Sequence, residues 1–426
     1  MTTDLRVLGR DEWDRWYERL TLAFGGVPES PQERRLWDDL TEVERALGVW
    51  DGEECVGTAG AFSFRVAVPG GAFVDAAGVT MVSVAATHRR RGILTSMMRR
   101  QLDDVRDRGE PLAVLTASEP AIYGRFGYGI GTLQAAVTVD SSRVRIEGPA
   151  GTDDVRLRFV DTAEAAERCE AVYVRTIGSR PGNLARSPGW ERLPLLDPPE
   201  ERHGASPMQC VLAEREIKGS GATSVEGDGG RRAAEVVGFA RFHTKPDGEH
   251  GVPRGRVQVR HLHALDPAAY AALWRFLCSI DLTEAVESRN RPVDDPLFSL
   301  VSDIRRCAVR VRDSMHVRLV DVGAALEART YLTPVDVVLE VEDAFCPWNA
   351  GRWRLTGDAK GASCERTDDA AELALSVREL AAAYLGGTSL AGLAGAGRVR
   401  ELRPGALAEA SAAFGSVVAP WLQHGF

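Results

Sequence analysis

The sequence predicts a mixed chain, α/β passing into α+β: two strand–turn–helix units in succession, followed by a smaller α+β domain. Three observations carry this reading. At 426 residues, and with about 150 residues per domain as a prior, the chain should hold about three domains. A strand, a turn and an apolar-striped helix follow one another twice, over 76–109 and again over 257–277. Beyond Arg306 the pattern changes to short alternating strands and apolar helices, which fits a separate layer arrangement. The expected segments are 1–140, 141–306 and 307–426.

Each element has its own signal. Residues 76–86 (AAGVTMVSVAA) read as a buried strand, and 87–92 as a charged turn. Leu94, Met97, Met98, Leu102 and Val105 then recur at helical spacing up to Gly109. Residues 112–117 (LAVLTA) read as a second buried strand. From Ser141 the pattern restarts, and the Gly/Ser-rich stretch 218–232 reads as a surface loop. Residues 257–264 (VQVRHLHA) form the next strand, Asp266-Pro267 supplies an N-cap with proline at the first helical position, and Tyr270, Leu273 and Leu277 give the stripe. In the last segment, 335–341 and 353–356 read as strands and 370–385 as apolar helices.

Composition narrows the function. A formal net charge of −9 argues against a nucleic-acid partner, since phosphate-backbone affinity needs excess Lys and Arg. The seven cysteines are scattered without a CxxC pair, so neither a disulfide framework nor a zinc site is indicated. The N-terminus MTTDLRVLGRDEWDRW is charged where a leader would be apolar, and no run of 18 apolar residues occurs. A cytoplasmic protein without a membrane partner is the expectation.

The first turn carries the chemistry. Arg89-Arg90-Arg91-Gly92-Ile93-Leu94 lies between a strand and a helix, where helix-start N–H groups and the positive dipole end favour an anion. Gly92 lets the backbone approach a diphosphate, and the arginines add charge-assisted bonds. The alternative is a basic turn on a solvated surface. The corresponding turn of the second unit, DPAAY, has a proline in place of one donor and no arginine, so only the first unit is expected to cradle phosphates.

RRRGI resembles the R/Q-x-x-G-x-G/A phosphate loop of GNAT acetyltransferases, departing at Leu94. The longer run VSVAATHRRRGILTSMM, joined about twenty residues on by ASEPAIYGRFGYG, resembles the Eis (enhanced intracellular survival) family of that superfamily. LEARTY and AAELALSVRELAAAYLGG are similar to the family's last domain. The resemblance implies two tandem GNAT-like units, the second degenerate, followed by a sterol-carrier-like α+β domain. It also implies an acetyl-coenzyme A-dependent N-acetyltransferase, and a homo-oligomer that is a hexamer.

The resemblance assigns roles residue by residue. The backbone of Val82, Ser83 and Val84 would hold the pantetheine arm; Arg90, Arg91, Gly92, Ile93, Leu94 and Thr95 the pyrophosphate; Ser118 and Glu119 would complete the cleft. For the two valines' side chains, core packing is the default. Tyr123 would be the general acid, and a phenol with pKa about 10 can indeed protonate a thiolate of pKa about 8.5. Tyr128 reads as packing. The base would be the chain's own terminal carboxylate at Phe426, reached through the apolar tail 414–426 (FGSVVAPWLQHGF); the family often has an acidic residue before the end, where this chain has Gly425. Phe24, Trp37 and Trp190 fall where the family places acceptor-pocket walls, with core packing as the alternative.

The implied reaction is direct acetyl transfer to an amine of a small polyamine, aminoglycoside-like or lysine-type acceptor, with no metal. The rival is a non-catalytic acyl-CoA or lipid binder working through the carrier-like domain; Tyr123 beside an intact loop favours the enzyme. Gly392, Gly395 and Gly397 lack the strand and acidic residue of a dinucleotide fingerprint. His261 and His263 lack further ligands for a metal, and no G-x-S-x-G elbow is present.

Overall fold

The computed structural model describes residues 3–216 and 234–426; the loop expected over 218–232 lies outside them. The chain forms two compact units. One comprises Met1–Gln134, Gly178–Trp190 and Arg312–Phe426, the other Ala135–Ile177 and Glu191–Val311. The first and third expected segments therefore share one unit.

The first unit contains a mixed sheet. Its strands β1 (Asp4–Val7), β2 (Leu47–Asp51), β3 (Glu54–Ala67), β4 (Phe73–Val84) and β5 (Leu112–Thr116) stand in chain order. Beyond β5 the order continues with Met315–Leu319 and then Gly129–Ile130. A strand from nearly 200 residues downstream thus sits inside the sheet. Helices α1 (Trp13–Ala23), α2 (Pro31–Leu40) and α3 (Ile93–Asp107) complete this part. The face of α3 carrying Ile93, Met97, Met98, Leu102 and Val105 is buried against Val56, Ala59 and Val79 of β3 and β4, each such side chain contributing about 2 kcal/mol by burial. Leu94, expected on that stripe, is only partly buried.

The same unit holds a five-stranded sheet in the order Gly361–Arg366, Gly351–Asp358, Val335–Glu342, Leu373–Ser376, Val399–Glu401. Here the structure corrects the expectation of helix throughout 370–385. Leu373–Ser376 is a strand, parallel to Val335–Glu342 and antiparallel to Val399–Glu401, and helix starts only at Val377–Ala383. Pairing on both edges outweighs the helix propensity of AAELALS, and Ser376 then caps the helix by accepting from the Arg378 amide at 3.2 Å.

One buried cation ties this domain together. Arg329 is 1% exposed and donates to the carbonyls of Tyr384, Phe414 (3.0 Å) and Thr330 (3.2 Å). The rings of Tyr331 and Phe414 lie 4.7 and 5.0 Å from its guanidinium carbon. Carbonyls substitute for a counter-ion, and burial lowers its proton affinity below the usual arginine value.

The second unit is a seven-stranded sheet ordered Cys307–Asp313, Leu133–Asp140, Thr283–Arg291, Gly255–Ala264, Ala234–Lys245, Gln209–Glu216, Arg156–Val160. Its helix Pro267–Cys278 follows Gly255–Ala264, and the next strand, Thr283–Arg291, runs parallel to that strand, which repeats the β4–α3–β5 arrangement. As expected, Asp266 is the N-cap: its carboxylate accepts from the amides of Ala268 and Ala269 at 3.0 and 2.9 Å and pairs with Arg215 at 2.9 Å. That helix start already carries an anion of its own.

Arg329→Met would remove the donor from two buried carbonyls, those of Tyr384 and Phe414, and from the half-buried Thr330 carbonyl, each buried one costing about 1–3 kcal/mol. We expect a loss of several kcal/mol in urea unfolding, and Arg329→Lys to recover only part of it.

Candidate active site

The cleft begins where a strand pair fails. β4 and β5 are hydrogen-bonded only through Ala76, Ala77 and Gly78 against Leu112, Ala113 and Val114. Beyond Gly78 they part, while the other edge of β5 stays paired along its length with Met315–Leu319. The edge of β4 from Val79 to Val84 is left facing a cleft of 640 Å³.

The opposite edge of β4 explains the bend. The register against β3 shifts between Thr58 and Gly60, and Met81 takes φ 55°, a conformation costing a non-glycine residue about 1–3 kcal/mol. Side chains satisfy the carbonyls that this bulge displaces. Thr58 Oγ1 donates to Met81 O at 2.7 Å, and Gln101 Nε2 of α3 donates to Gly60 O at 2.9 Å. Ser83 Oγ turns inward to Thr58 Oγ1 at 2.7 Å. Val82 and Val84 are partly buried and line the cleft.

At the floor of the cleft the chain enters α3 through alternating handedness. Arg90 (φ 63°) and Gly92 (φ 82°) are both left-handed, which turns successive N–H groups toward one point, an anion-binding nest at the start of a 15-residue helix. A Cβ on Gly92 would meet no atom within 4 Å, so the space above it is open to a diphosphate. Arg90, Gly92, Ile93, Leu94 and Thr95 line the cleft; Arg91 is exposed and does not.

The far wall is the short helix Pro120–Phe126, which ends at Gly127 with φ 86°. A Cβ there would lie 2.6 Å from Arg318 Nη1, so glycine is required twice over. This helix carries Tyr123 into the cleft beside Ser118 and Glu119. Burial, helped by the Glu119 carboxylate, pushes the Tyr123 phenol above its ordinary value of 10. Tyr123 is therefore protonated at neutral pH. Its ring packs edge-on to Tyr128 at 5.9 Å, and Tyr128 itself is buried, in keeping with a packing role.

The tail docks. Trp421 and Leu422 are buried, the Trp421 amide donates to Pro181 O at 2.8 Å, and Arg180 donates to Ala419 O at 2.5 Å. Phe426 lines the same cleft as Tyr123, its ring edge-on to Phe64 at 5.0 Å. From there a chain of rings runs through Trp190 (4.8 Å from both Phe64 and Phe62) to Trp37, 6.1 Å from Trp190. Trp190 is buried, while Phe24 is 59% exposed at the cleft mouth. Trp37 and Trp190 do not line the cleft itself; they back it.

Several residues here escaped sequence reasoning. His88 lines the cleft, its ring nitrogens 3.2 Å from Asp51 and 2.9 Å from Thr87; it lies inside the motif and had a legible position. Met81, Ile122 and Arg125 also line it, yet only the bulge and the cleft reveal them. His424 stacks on Trp190 at 6.2 Å, and burial, with Arg186 adding like-charge repulsion, pushes its pKa down to about 4, leaving the ring neutral. Among the described residues, no group of three or more His, Cys, Asp or Glu is placed to hold a metal ion, and no helix is long and apolar enough to cross a membrane.

Two strands parting over a helix-start anion nest, with a protonated tyrosine opposite, define a GNAT-type acetyltransferase site. Comparison with known proteins agrees. A family profile described as an acetyltransferase (GNAT) domain matches residues 4–131, a second with the same description matches 225–319, and a sterol carrier protein domain profile matches 322–423. An uncharacterized N-acetyltransferase of Streptomyces avermitilis is 66% identical over all of both chains. N-acetyltransferase Eis of Mycobacterium tuberculosis is 34% identical over 98% of each. The crystal structure of Eis1 from Mycobacterium abscessus superposes over the full length of both chains with a TM-score of 0.82 at 34% identity. The chain belongs to the Eis-like N-acetyltransferases. It is an enzyme whose fold, two GNAT domains and a sterol-carrier-like domain, implies acetyl-coenzyme A as acetyl donor, and the non-catalytic carrier reading gives way.

Gly78 marks where the cleft opens, and its missing side chain makes room for the tail: a Cβ would fall 2.4 Å from the Phe64 ring and 3.2 Å from Phe426. We expect Gly78→Ala to displace both rings and lower acetyl transfer by roughly tenfold or more, with a crystal structure of the variant showing Phe426 moved.

Proposed function

We propose that this chain acetylates a primary amine of a polyamine, aminoglycoside-like or lysine-type acceptor by direct transfer in a ternary complex, without a metal. The observation that supports this best is the lining of one cleft by the helix-start nest, Tyr123 and Phe426. Acetyl-coenzyme A supplies a thioester there. The residues fit it: Arg90, Gly92, Ile93, Leu94 and Thr95, with Arg91 nearby, offer amides and charge to the diphosphate, the unpaired edge at Val82, Ser83 and Val84 offers backbone groups to the arm, and Ser118 and Glu119 close the other side.

The α-carboxylate of Phe426, an acceptor-only group when ionised, takes a proton from the acceptor ammonium. Backbone N–H groups of the Val84 strand polarise the carbonyl under attack. Tyr123 then donates its phenolic proton to the departing sulfur and regains one from the second proton that nitrogen gives up, so that each turnover releases one proton to solvent. Phe24, Trp37 and Trp190 form and back the acceptor wall, where rings suit a cationic acceptor.

This reading keeps the catalytic segment at 1–140, a degenerate second unit at 141–306 and the carrier-like segment at 307–426. It is completed by a cytoplasmic homohexamer with no nucleic-acid or membrane partner.

Tyr123→Phe should lower kcat by a factor on the order of 10² to 10⁴ with coenzyme A affinity nearly unchanged; wild-type turnover in that variant would remove Tyr123 from the mechanism. Adding several residues after Phe426 should leave folding and coenzyme A binding intact but abolish most acetyl transfer. A tag at Met1 should not. Native turnover in the extended protein would mean that another group is the base.

A further inference from the structure

A second cavity, 450 Å³ in volume, is bordered by Gly124, Arg125 and Gly127 of the Tyr123 helix and by the 342–345, 374–379 and 397–400 segments of the carrier-like domain. Four arginines and three carboxylates line it, but the charges are not evenly matched. Asp343 is taken by the fully buried Arg318 at 2.6 Å and by the amides of Phe345 and Cys346. Glu379 is taken by Arg398 at 3.1 Å and by Ser376. Among the described residues Arg125, Arg378 and Arg400 have no carboxylate partner, and Glu342 alone remains to face them.

The wall behind adds to the imbalance. Arg318 spends one nitrogen on Asp343, while its Nε and Nη1 have no hydrogen-bond partner, and Nη1 sits 2.6 Å from where a Gly127 side chain would begin. Arg318 is fully buried behind Gly127 and does not itself border the cavity, so it adds positive charge to the wall without a direct contact. Arg378 is packed against the loop backbone, its guanidinium carbon 2.9 Å from a hypothetical Gly124 Cβ.

We infer that this cavity is a second ligand site, taking a small phosphate-bearing molecule held by Arg125, Arg378 and Arg400. Guanidinium forks match phosphate oxygens bidentately, and three of them exceed what a single carboxylate can engage. The volume suits a nucleotide-sized ligand. Arg125 borders both this cavity and the acetyl-transfer cleft, two residues from Tyr123, so an occupant that fixes Arg125 also restrains the general acid. The site is independent of which amine is acetylated.

The test is calorimetric titration of the full chain, saturated with coenzyme A so that the α3 nest is filled, with inorganic pyrophosphate and separately with ADP. Wild type should bind one equivalent per chain. Arg378→Ala with Arg400→Ala should weaken this roughly tenfold or more, about 1.4 kcal/mol, without changing coenzyme A affinity. Arg400→Glu alone gives the same reading should the double variant melt early. Equal affinity for both probes means that phosphate alone is read, and tighter ADP binding means that the nucleoside is read too; both support the site. An absence of binding to wild type, or undiminished binding to the variants, overturns it. Turnover of the wild type that ignores saturating pyrophosphate overturns the link to Tyr123.

Discussion

The pairing of Leu112–Thr116 with Met315–Leu319 is the constraint on which the rest of the catalytic unit depends. It anchors the far edge of β5 along its whole length, so β5 stays in the sheet where β4 leaves it after Gly78 and the cleft between the two remains open. It also brings Arg318 into the interior, where Arg318 holds Asp343 at 2.6 Å with neither side chain more than 1% exposed. Removing one partner of such a pair typically costs about 3–5 kcal/mol. Asn349 reinforces the joint by donating to Leu319 O, Val320 O and Asp343. The carrier-like domain is thereby fixed to the catalytic sheet, and Phe426 can reach the cleft reproducibly.

Arginines organise this unit in two distinct ways. Arg329 lies among carbonyls and rings with no carboxylate, a structural cation whose task is to converge three chain segments. The arginines before α3 instead remain exposed, without carboxylate partners among the described residues, beside a backbone nest. The difference between holding a fold and waiting for an anion is visible in what surrounds each charge. In the second unit Asp266 supplies an anion internally, so the corresponding helix start already has its charge partner within the chain.

Much of this architecture was legible because it is local. The helical stripe of α3, the strand at 112–117, the Asp266 cap and the glycine turn that opens α3 all follow from nearest-neighbour patterns. The bulge at Met81 was not legible: a methionine in a strand carries no sign that its φ is positive, and the cause lies in the register with β3. Residues 373–376 looked helical because Ala, Glu and Leu favour helix, and only pairing on both edges makes them a strand. Arg91 shares its motif with Arg90, yet a single turn of backbone sends it away from the cleft. The ring chain from Trp37 to Phe426 joins residues from four distant stretches, and no spacing rule connects them.

The inserted strand has a consequence for how the protein comes into being. When β5 leaves the ribosome, its partner is still about 200 residues from synthesis, which at roughly 5–20 residues per second is a delay on the order of tens of seconds. Through that interval an apolar edge, LAVLT, presents unpaired backbone groups, the kind of surface that recruits another chain. The nascent catalytic domain is therefore exposed to wrong pairing for longer than a domain built from contiguous sequence, and chaperone cover or rapid synthesis of its own remainder would shorten or mask that exposure.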